Sequence, residues 1–239
     1  MTMKIYAVAD VHYPRYGAEF SHALSGLSPP DLLLLAGDMV NRGSAMEYPR
    51  VLDTITDALG ESFPILACFG NEEYSEVRDK IKKLVSRRVL LLDEKSTTVT
   101  IDEHTIGIVG TQGSLDKPTS WQKRNMPGIR DEFGRRASRA EHLLKRVRAK
   151  SEYTILLMHY SPCIETCEGE DERGFAWLGS RKFYTIISNV QPNLVVHGHV
   201  HNSIAHEAKI GATLVRNVAL PAVGRITQLD IKLGTTDDQ

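Results

Sequence analysis

The sequence predicts an α/β fold in which most strands are buried on both faces. Short apolar runs alternate with amphipathic stretches of helical spacing, as in strand–helix–strand units. Several runs, such as residues 32–36 and 155–158, are continuously apolar, as expected of strands covered on both sides. The chain has 239 residues, 41% of them hydrophobic, which suits one large core. We therefore predict a single domain over residues 1–239.

The first half of the chain is predicted to alternate strands with helices and then to continue as strands. Residues 31–38 read DLLLLAGD and residues 64–70 read PILACFG, and both are unbroken apolar runs that end in turn-forming residues. The predicted elements are strand 4–10, helix 18–27, strand 31–38, helix 45–59, strand 64–70, helix 75–86, and strands 88–92, 97–101 and 105–111.

The second half begins with a long helix. Ala137, Ala140, Leu143 and Val147 have helical spacing, with basic residues between them. The closing strands follow one another without helices, which indicates an antiparallel part, and a short polar tail covers residues 235–239. The predicted elements are helix 133–149, strand 153–159, helix 180–189, and strands 193–199, 204–210, 213–217 and 226–232.

Polar residues that can bind metals follow five of the predicted strands. In an open α/β sheet, ligands bind outside the carboxyl ends of the strands, so these residues should share one rim. They are Asp10, His12, Asp38, Asn71, His159, His199 and His201.

Imidazoles and carboxylates together are ligands for transition metals such as Zn, Fe and Mn. Residues at i and i+2 point the same way in an extended backbone, so each D-x-H or H-x-H pair should face one site. Singly, each of these residues has an ordinary explanation, since a lone histidine is usually just hydrogen-bonded and a Gly-Asp pair is usually a turn. Five such strand ends in one chain favour a metal site. We expect a hydrogen-bonding role for His197, and structural or exposed positions for His22, His104, His142 and His206.

With these motifs the sequence resembles the calcineurin-like metallophosphoesterase superfamily, in particular its small phosphoesterases. The superfamily pattern is D-x-H, G-D, G-N-H-[DE], a lone His, and G-H-x-H. The corresponding residues here are Asp10-Val11-His12, Gly37-Asp38, Gly70-Asn71-Glu72-Glu73, His159, and Gly198-His199-Val200-His201. The resemblance implies two packed mixed β-sheets flanked by helices.

The resemblance also implies a dinuclear metal centre. One ion would be bound by Asp10, His12, Asp38 and His201, and the other by Asp38, Asn71, His159 and His199, with Asp38 as the bridge. The implied reaction is attack on phosphorus by a metal-bridging hydroxide, with the two ions about 3.5–4 Å apart. The catalytic residues would be Asp38, Asn71, Glu72 and His159. The ligand set admits Mn, Fe, Zn, Ni or Co, and we favour Mn.

Glu72 departs from the superfamily pattern, which has histidine beside the leaving-group oxygen. Two nearby cations favour the glutamate anion, and an anion repels a phosphate dianion. A diester carries less charge, so the sequence predicts that diesters are hydrolysed better than monoesters. Alternatively, Glu72 points elsewhere and the enzyme is simply slower.

A basic helical insert is predicted at about residues 117–150, which hold 11 Lys or Arg and three Asp or Glu. It could bind a phosphate-rich substrate, with Trp121 stacking on a base beside Lys123 and Arg124. The alternative, which we favour, is a solvated helix whose cations serve solubility. The acidic loop at residues 164–173 is another candidate rim element without an assigned role.

Two other functions compete with hydrolysis of a small phosphate ester, for which a nucleotide is one candidate. A catalytically weak binding scaffold, as in a retromer subunit of this superfamily, is disfavoured because every expected metal ligand is present. A DNA-processing nuclease would usually carry extra DNA-binding regions, and with a net charge of -1 no stable nucleic-acid complex is expected.

The sequence also gives expectations for the protein's location and its thiols. There is no apparent signal peptide or membrane-length apolar run, so the sequence predicts a cytoplasmic protein, and it leaves the oligomeric state open. The three cysteines argue against a disulfide framework. Cys163 and Cys167 could pair or bind metal, but reduced thiols are favoured.

Overall fold

The structure, a computed structural model, describes residues 2–233 and contains eleven strands and seven α-helices over that range. Each sequence-predicted strand and helix is present, with ends that shift by a few residues. In chain order the elements are β1 (Thr2–Val8), α1 (Gly17–Leu24), β2 (Leu32–Ala36), α2 (Tyr48–Leu59), β3 (Ile65–Cys68), α3 (Ser75–Val85), β4 (Leu90–Leu91), β5 (Lys95–Ile101), β6 (His104–Thr111), α4 (Ser120–Asn125), α5 (Ile129–Arg148), β7 (Tyr153–Met158), α6 (Arg181–Val190), β8 (Leu194–His197), β9 (Glu207–Ile210), β10 (Thr213–Asn217), α7 (Leu220–Val223) and β11 (Thr227–Lys232).

The strands form two mixed sheets, each with a parallel centre and an antiparallel edge. The first sheet has the order β11-β1-β2-β3-β4, in which only β11 is antiparallel to its neighbour. The second has the order β5-β6-β7-β8-β10-β9, with antiparallel pairs at its two ends. The closing strands are therefore antiparallel to a neighbour, as predicted, although β11 joins the other sheet.

Three apolar layers hold the sandwich together. Ile5 and Ala7 of β1 pack between the two sheets, whereas Tyr6 and Val8 pack against the helices that cover the first sheet. Because both faces of such a strand are buried, its sequence is a continuous apolar run. The third layer joins the second sheet to α5 and α6, and it contains the predicted apolar stripe of α5. This arrangement is the predicted sandwich of two mixed sheets flanked by helices.

The sequence interpretation missed two short helices and misplaced some boundaries. Helices α4 and α7 have six and four residues, too few for a helical period to show. Helix α5 begins at Ile129 rather than at residue 133, directly after Gly128, whose φ is 77°. Strand β9 begins at Glu207 rather than at residue 204. The polar tail predicted at residues 235–239 lies outside the described residues.

Over residues 2–233, no helix combines the length and the apolar character that a membrane crossing requires.

Candidate functional site

Two groups of potential metal ligands lie beyond the carboxyl ends of the parallel strands. In each group, one ligand atom from each residue lies within 4.8 Å of the others. The amide oxygen Oδ1 of Asn71 lies 3.0 Å from His159 Nε2, beside the second group. The structure thus brings all seven sequence-predicted residues together at one rim. The first group is Asp10, His12 and His201, and the second is Asp38, His159 and His199.

Asp38 lies between the two groups. Its Oδ2 is 3.9 Å from His12 Nε2 and 3.3 Å from His159 Nε2. Its other oxygen, Oδ1, accepts a hydrogen bond from the Glu72 backbone N–H at 2.6 Å. One carboxylate oxygen therefore faces both groups while the other fixes the orientation of the side chain.

Backbone carbonyls select the ring nitrogens that face the site. His159 Nδ1 lies 3.0 Å from the Ala36 carbonyl oxygen, so it carries the proton and leaves the Nε2 lone pair facing the oxygens of Asp38 and Asn71. The Nε2 of His199 lies 3.3 Å from the Trp177 carbonyl oxygen, so Nδ1 is the ring nitrogen that is left to bind a metal ion. The nitrogen that faces the site can then hold either a proton or a metal cation, and such outer hydrogen bonds commonly orient metal-binding histidines. The donor set therefore fits divalent metal ions.

The protein groups perturb one another strongly. Burial opposes ionisation of Asp10, but its hydrogen bonds with His12 and His201 outweigh burial and lower the carboxyl pKa well below its usual range. Burial lowers the pKa of His159, whereas the Asp38 charge raises it, with a net result of about 9. Burial and the His159 charge lower the pKa of His199 to about 4. Near neutral pH, a metal cation would therefore have to displace a proton from His159, whereas His199 is already neutral and needs no such displacement.

Four of the seven ligand residues have a left-handed backbone. The φ angles are 60° at Asp10, 44° at His12, 52° at Asp38 and 70° at His199. The predicted reason for the convergence of 10 with 12, an extended backbone, is therefore wrong, because a tight turn directs these side chains inward. His199 and His201, which were also expected to face one site, belong to different ligand groups. Left-handed non-glycine residues cost on the order of 1–3 kcal/mol each and cluster at functional sites.

Glycines allow the loops to approach the carboxylates. A Cβ atom on Gly70 would collide with the carboxylate of Asp38, and one on Gly198 would collide with that of Asp10. Gly37 has a φ of 86°, which permits the turn before Asp38.

Glu72 and its neighbour Glu73 have different surroundings. Glu72 Oε2 accepts the Arg42 backbone N–H at 2.6 Å, and the residue lines the cavity above the ligand groups. Glu73 is buried and accepts backbone N–H groups of Asp38, Met39, Val40 and Gly70 at 2.7–3.2 Å. Burial raises the pKa of Glu73 to about 7, and the amides act in the opposite direction. The sequence interpretation gave Glu73 no role, although it occupies the last position of the G-N-H-[DE] pattern.

The remaining histidines lie outside the ligand groups. His197 is satisfied on both nitrogens, by the Gly198 carbonyl at 2.9 Å and by Thr166 Oγ1 at 2.9 Å. His104 pairs with Glu152 at 2.6 Å and His206 bonds to the Ser203 carbonyl, while His22 and His142 are exposed.

The three cysteines are buried and unpaired, and neither ligand group found among residues 2–233 includes a cysteine. The expectation of reduced thiols at Cys163 and Cys167 agrees with this arrangement.

The acidic loop supports the histidine-bearing loop. Glu170 accepts both the backbone N–H and the side-chain amide of Asn202, next to His201, at 2.9 and 3.0 Å. The Ile204 N–H bonds to the Glu168 carbonyl at 2.8 Å. This loop therefore helps to place the last two histidines, a role that sequence reasoning did not assign.

Two adjoining cavities open at the rim. The smaller, about 530 Å³, lies over the ligand groups and is lined also by Arg15 and Arg42, and we call it the ligand pocket. The larger, about 720 Å³, contains Trp121 and Trp177 in its lining, and we call it the Trp groove. The two cavities share Asn71, Glu72 and His199 in their linings.

The basic segment at residues 117–150 divides between two environments. Helix α4 brings Trp121 to the Trp groove, whereas Lys123 and Arg124 are exposed and do not line it. Helix α5 packs on the second sheet, and many of its cations bind protein atoms, such as Arg136 with Glu132 at 3.1 Å.

A family model for calcineurin-like phosphoesterases matches residues 3–203. No curated protein matches the sequence.

Solved structures with similar folds include a phosphopantetheinyl hydrolase from Mycobacterium tuberculosis, with a TM-score of 0.72, 16% identity and 95% coverage of both chains. A putative 5'-nucleotidase from Staphylococcus aureus has a TM-score of 0.57 and 12% identity, over 97% of this chain and 51% of its own. Purple acid phosphatase from yellow lupin seeds, Lupinus luteus, has a TM-score of 0.55 and 12% identity, and the match covers 99% of this chain and 47% of the phosphatase chain.

Proposed function

Because the chain belongs to the calcineurin-like phosphoesterase family, we propose that it hydrolyses phosphate esters with two divalent metal ions and prefers diesters to monoesters. The family and the two ligand groups support the metal-dependent phosphoesterase. The single observation that carries the proposal is the position of Asp38 Oδ2 between His12 and His159, since a shared carboxylate oxygen is what two adjacent ions require.

The proposed ligands divide as the two groups do. Asp10, His12, Asp38 and His201 would hold one ion, and Asp38, Asn71, His159 and His199 the other. When bound, two such ions lower the pKa of water and stabilise charge on the attacking and leaving oxygens. We favour Mn, although Fe, Zn, Ni and Co suit the same donors.

The ligand pocket would surround a bound phosphate with charged groups. Arg15 and Arg42 line it and would attract the phosphate oxygens. Glu72 lines the same pocket and is fixed to the backbone of Arg42. Two like charges 4 Å apart repel by about 4 kcal/mol at an effective dielectric constant of 20, so the additional charge of a monoester is a substantial penalty. This repulsion is our reason for favouring diesters.

The remaining proposals concern the context of the enzyme. We treat residues 1–239 as one domain with a basic insert at 117–150, and we expect a small substrate, with nucleotides as candidates, rather than a stable nucleic-acid complex. The buried, unpaired cysteines suit a reducing compartment such as the cytoplasm.

The test measures hydrolysis of bis-p-nitrophenyl phosphate and p-nitrophenyl phosphate by chelator-stripped protein to which Mn²⁺, Zn²⁺, Fe²⁺, Ni²⁺ or Co²⁺ is restored singly. We expect metal-dependent turnover that Asp38→Asn abolishes, with a higher kcat/KM for the diester. Glu72→Gln should raise the monoester rate relative to the diester rate by about tenfold, which corresponds to about 1.4 kcal/mol. Glu19→Gln, an exposed acid on α1, is the matched control and should leave the ratio unchanged.

If the ratio of the monoester rate to the diester rate is the same in wild type and Glu72→Gln, the role proposed for Glu72 is contradicted. Absence of turnover on both esters in protein that binds two ions would favour the catalytically weak scaffold.

A further inference from the structure

We propose that the Trp groove binds a flat aromatic, nucleotide-like group on the substrate ester while the phosphate occupies the ligand pocket. The inference rests on the proposed function, because the groove adjoins the pocket in which the phosphate would be bound. It assigns a specificity role to Trp177, which sequence reasoning did not identify.

The Trp groove is continuous with the ligand pocket, and this supports a substrate that occupies both. Asn71, Glu72 and His199 line both cavities, so one molecule can span them. The groove volume of about 720 Å³ lies within the range of about 300–1,000 Å³ usual for small-molecule sites. A phosphate ester bound at Asn71 and His199 would direct one of its organic groups into the groove.

The groove walls are aromatic and apolar. Trp121 is 57% exposed and Trp177 is 39% exposed, and these are the two tryptophans of the chain. Leu115, Met126 and Ile129 complete the apolar lining. Exposed indoles can stack on a flat ring, and each base–aromatic stack contributes about 1–3 kcal/mol. One face of Trp177 is partly occupied, because Lys117 Nζ lies 5.9 Å from the centroid of its ring.

Hydrogen bonds hold the Trp121 wall in place. Thr119 and Gln122 form a capping box at the start of α4, and the side-chain amide of Gln122 also donates to Tyr160 Oη at 3.4 Å. Gln112 donates to the same hydroxyl at 3.4 Å and accepts from Arg78 at 2.8 Å. The helix that carries Trp121 is thereby tied to Tyr160, whose ring packs against His199 with centroids 4.8 Å apart.

The charges of the groove favour a neutral group. Arg78 is paired with Asp93 at 3.2 Å and Arg136 with Glu132 at 3.1 Å, so both cations in the lining have protein partners. The lining also contains the carboxyl groups of Glu72, Glu73 and Glu76, which disfavour an anionic ligand group in the groove. The ligand pocket, by contrast, presents Arg15 and Arg42 beside the imidazoles. Phosphate therefore suits the pocket, and an uncharged ring with polar edges suits the groove, where Gln112 and Asn125 supply side-chain amides.

Intrinsic fluorescence tests the groove without turnover, because both tryptophans lie in it. Metal-free protein, which cannot hydrolyse the probes by the proposed mechanism, is titrated with AMP, ribose 5-phosphate and phosphopantetheine. We expect AMP to quench the emission and to bind at least tenfold more tightly than either of the other two. The single-tryptophan variants Trp121→Phe and Trp177→Phe should each retain part of the response.

Kinetics then test the role of the walls. Thymidine 5'-(p-nitrophenyl phosphate) and methyl p-nitrophenyl phosphate are diesters with the same leaving group, and they differ in the nucleoside. Trp121→Leu or Trp177→Leu should lower kcat/KM for the nucleoside ester at least tenfold more than for the methyl ester. Tyr184→Leu, which removes an exposed aromatic ring on α6 outside the groove, should leave the ratio unchanged.

Equal losses on the two esters, or tighter binding of phosphopantetheine than of AMP, would overturn the aromatic assignment. If neither ester is hydrolysed by wild type with any metal, the proposed function fails, whereas the fluorescence titration still decides whether the groove binds a nucleotide.

Discussion

Glu73 is the residue that fixes the loop bearing Asp38. Each of its carboxylate oxygens accepts two backbone N–H groups, which join the turns after β2 and β3. Since Asp38 lies between the two ligand groups, a displaced turn would separate them. Glu73 thus acts on the site through Asp38 and has no need to touch the substrate.

Glu73→Gln should destabilise the metal-free protein by about 2–4 kcal/mol, because an amide can replace only one oxygen and leaves two buried N–H groups without an acceptor. Urea denaturation followed by circular dichroism measures the change in the free energy of unfolding. Glu61→Gln, an exposed acid, should change it by less than about 0.5 kcal/mol. A similar stability for wild type and Glu73→Gln would mean that the four amides have other partners in solution.

Residue type and position sufficed to identify the metal-ligand candidates, but not their geometry. Asp10, His159 and His201 were found because a polar residue at the end of an apolar strand is conspicuous. The left-handed backbone at Asp10 and His12 was missed because neither residue type demands it, and the surrounding structure imposes it. Trp177 was missed because it follows the acidic loop in a 3₁₀ segment, without periodicity that would mark it.

At the scale of elements, α4 illustrates how a short helix can be stabilised by its ends. The helix has six residues, yet its capping box satisfies backbone N–H groups at its start, and Gln122 anchors it to Tyr160. An isolated helix of this length would not persist in water. The pattern Thr119-x-x-Gln122 is typical of a capping box and so marks the start of a helix, even though six residues are too few to show a helical period.

Thr119→Val keeps the shape of the side chain and removes the capping hydroxyl. We expect α4 to lose about 1 kcal/mol of stability and the Trp121 emission to shift to longer wavelength as the indole becomes better hydrated. The measurement uses the Trp177→Phe background, in which Trp121 is the sole reporter. Ser120→Ala, beside the cap, should leave the spectrum unchanged, and an equal shift in both variants would argue against the cap.

The strands were predictable because burial on both faces leaves an unbroken apolar run, as in β2 and β7. The distribution of strands between two sheets was less accessible. Strand β11 pairs with β1 from the opposite end of the chain, and no local pattern encodes that partnership.

For the whole molecule, the site lies where the two sheets meet. Asp10, Asp38 and Asn71 follow strands of the first sheet, whereas His159 and His199 follow strands of the second. Ions held by both sets would link the sheets, in addition to the apolar layer between them.

Metal binding should therefore raise the melting temperature of the entire fold. A free ion at about 100 times its Kd adds about 2.7 kcal/mol per site, or roughly 5–10 °C for a protein of this size. Differential scanning calorimetry with and without Mn²⁺ measures the shift, which Asp38→Asn should reduce and His22→Ala, on exposed α1, should not. An unchanged melting temperature in protein loaded with two ions would mean that the unfolded chain binds the ions as tightly as the fold does, which would contradict a site assembled from both sheets.

The order of the ligands along the chain has a consequence for biosynthesis. Asp10, Asp38 and Asn71 leave the ribosome early, whereas His199 and His201 emerge only after most of the chain has been made. A nascent chain that has completed only β1 to β4 carries these residues but none of the imidazoles that follow the strands of the second sheet, so neither ligand group is complete. Complete ligand groups would thus exist only in nearly finished polypeptides, and a translation product truncated before His199 would lack both of them.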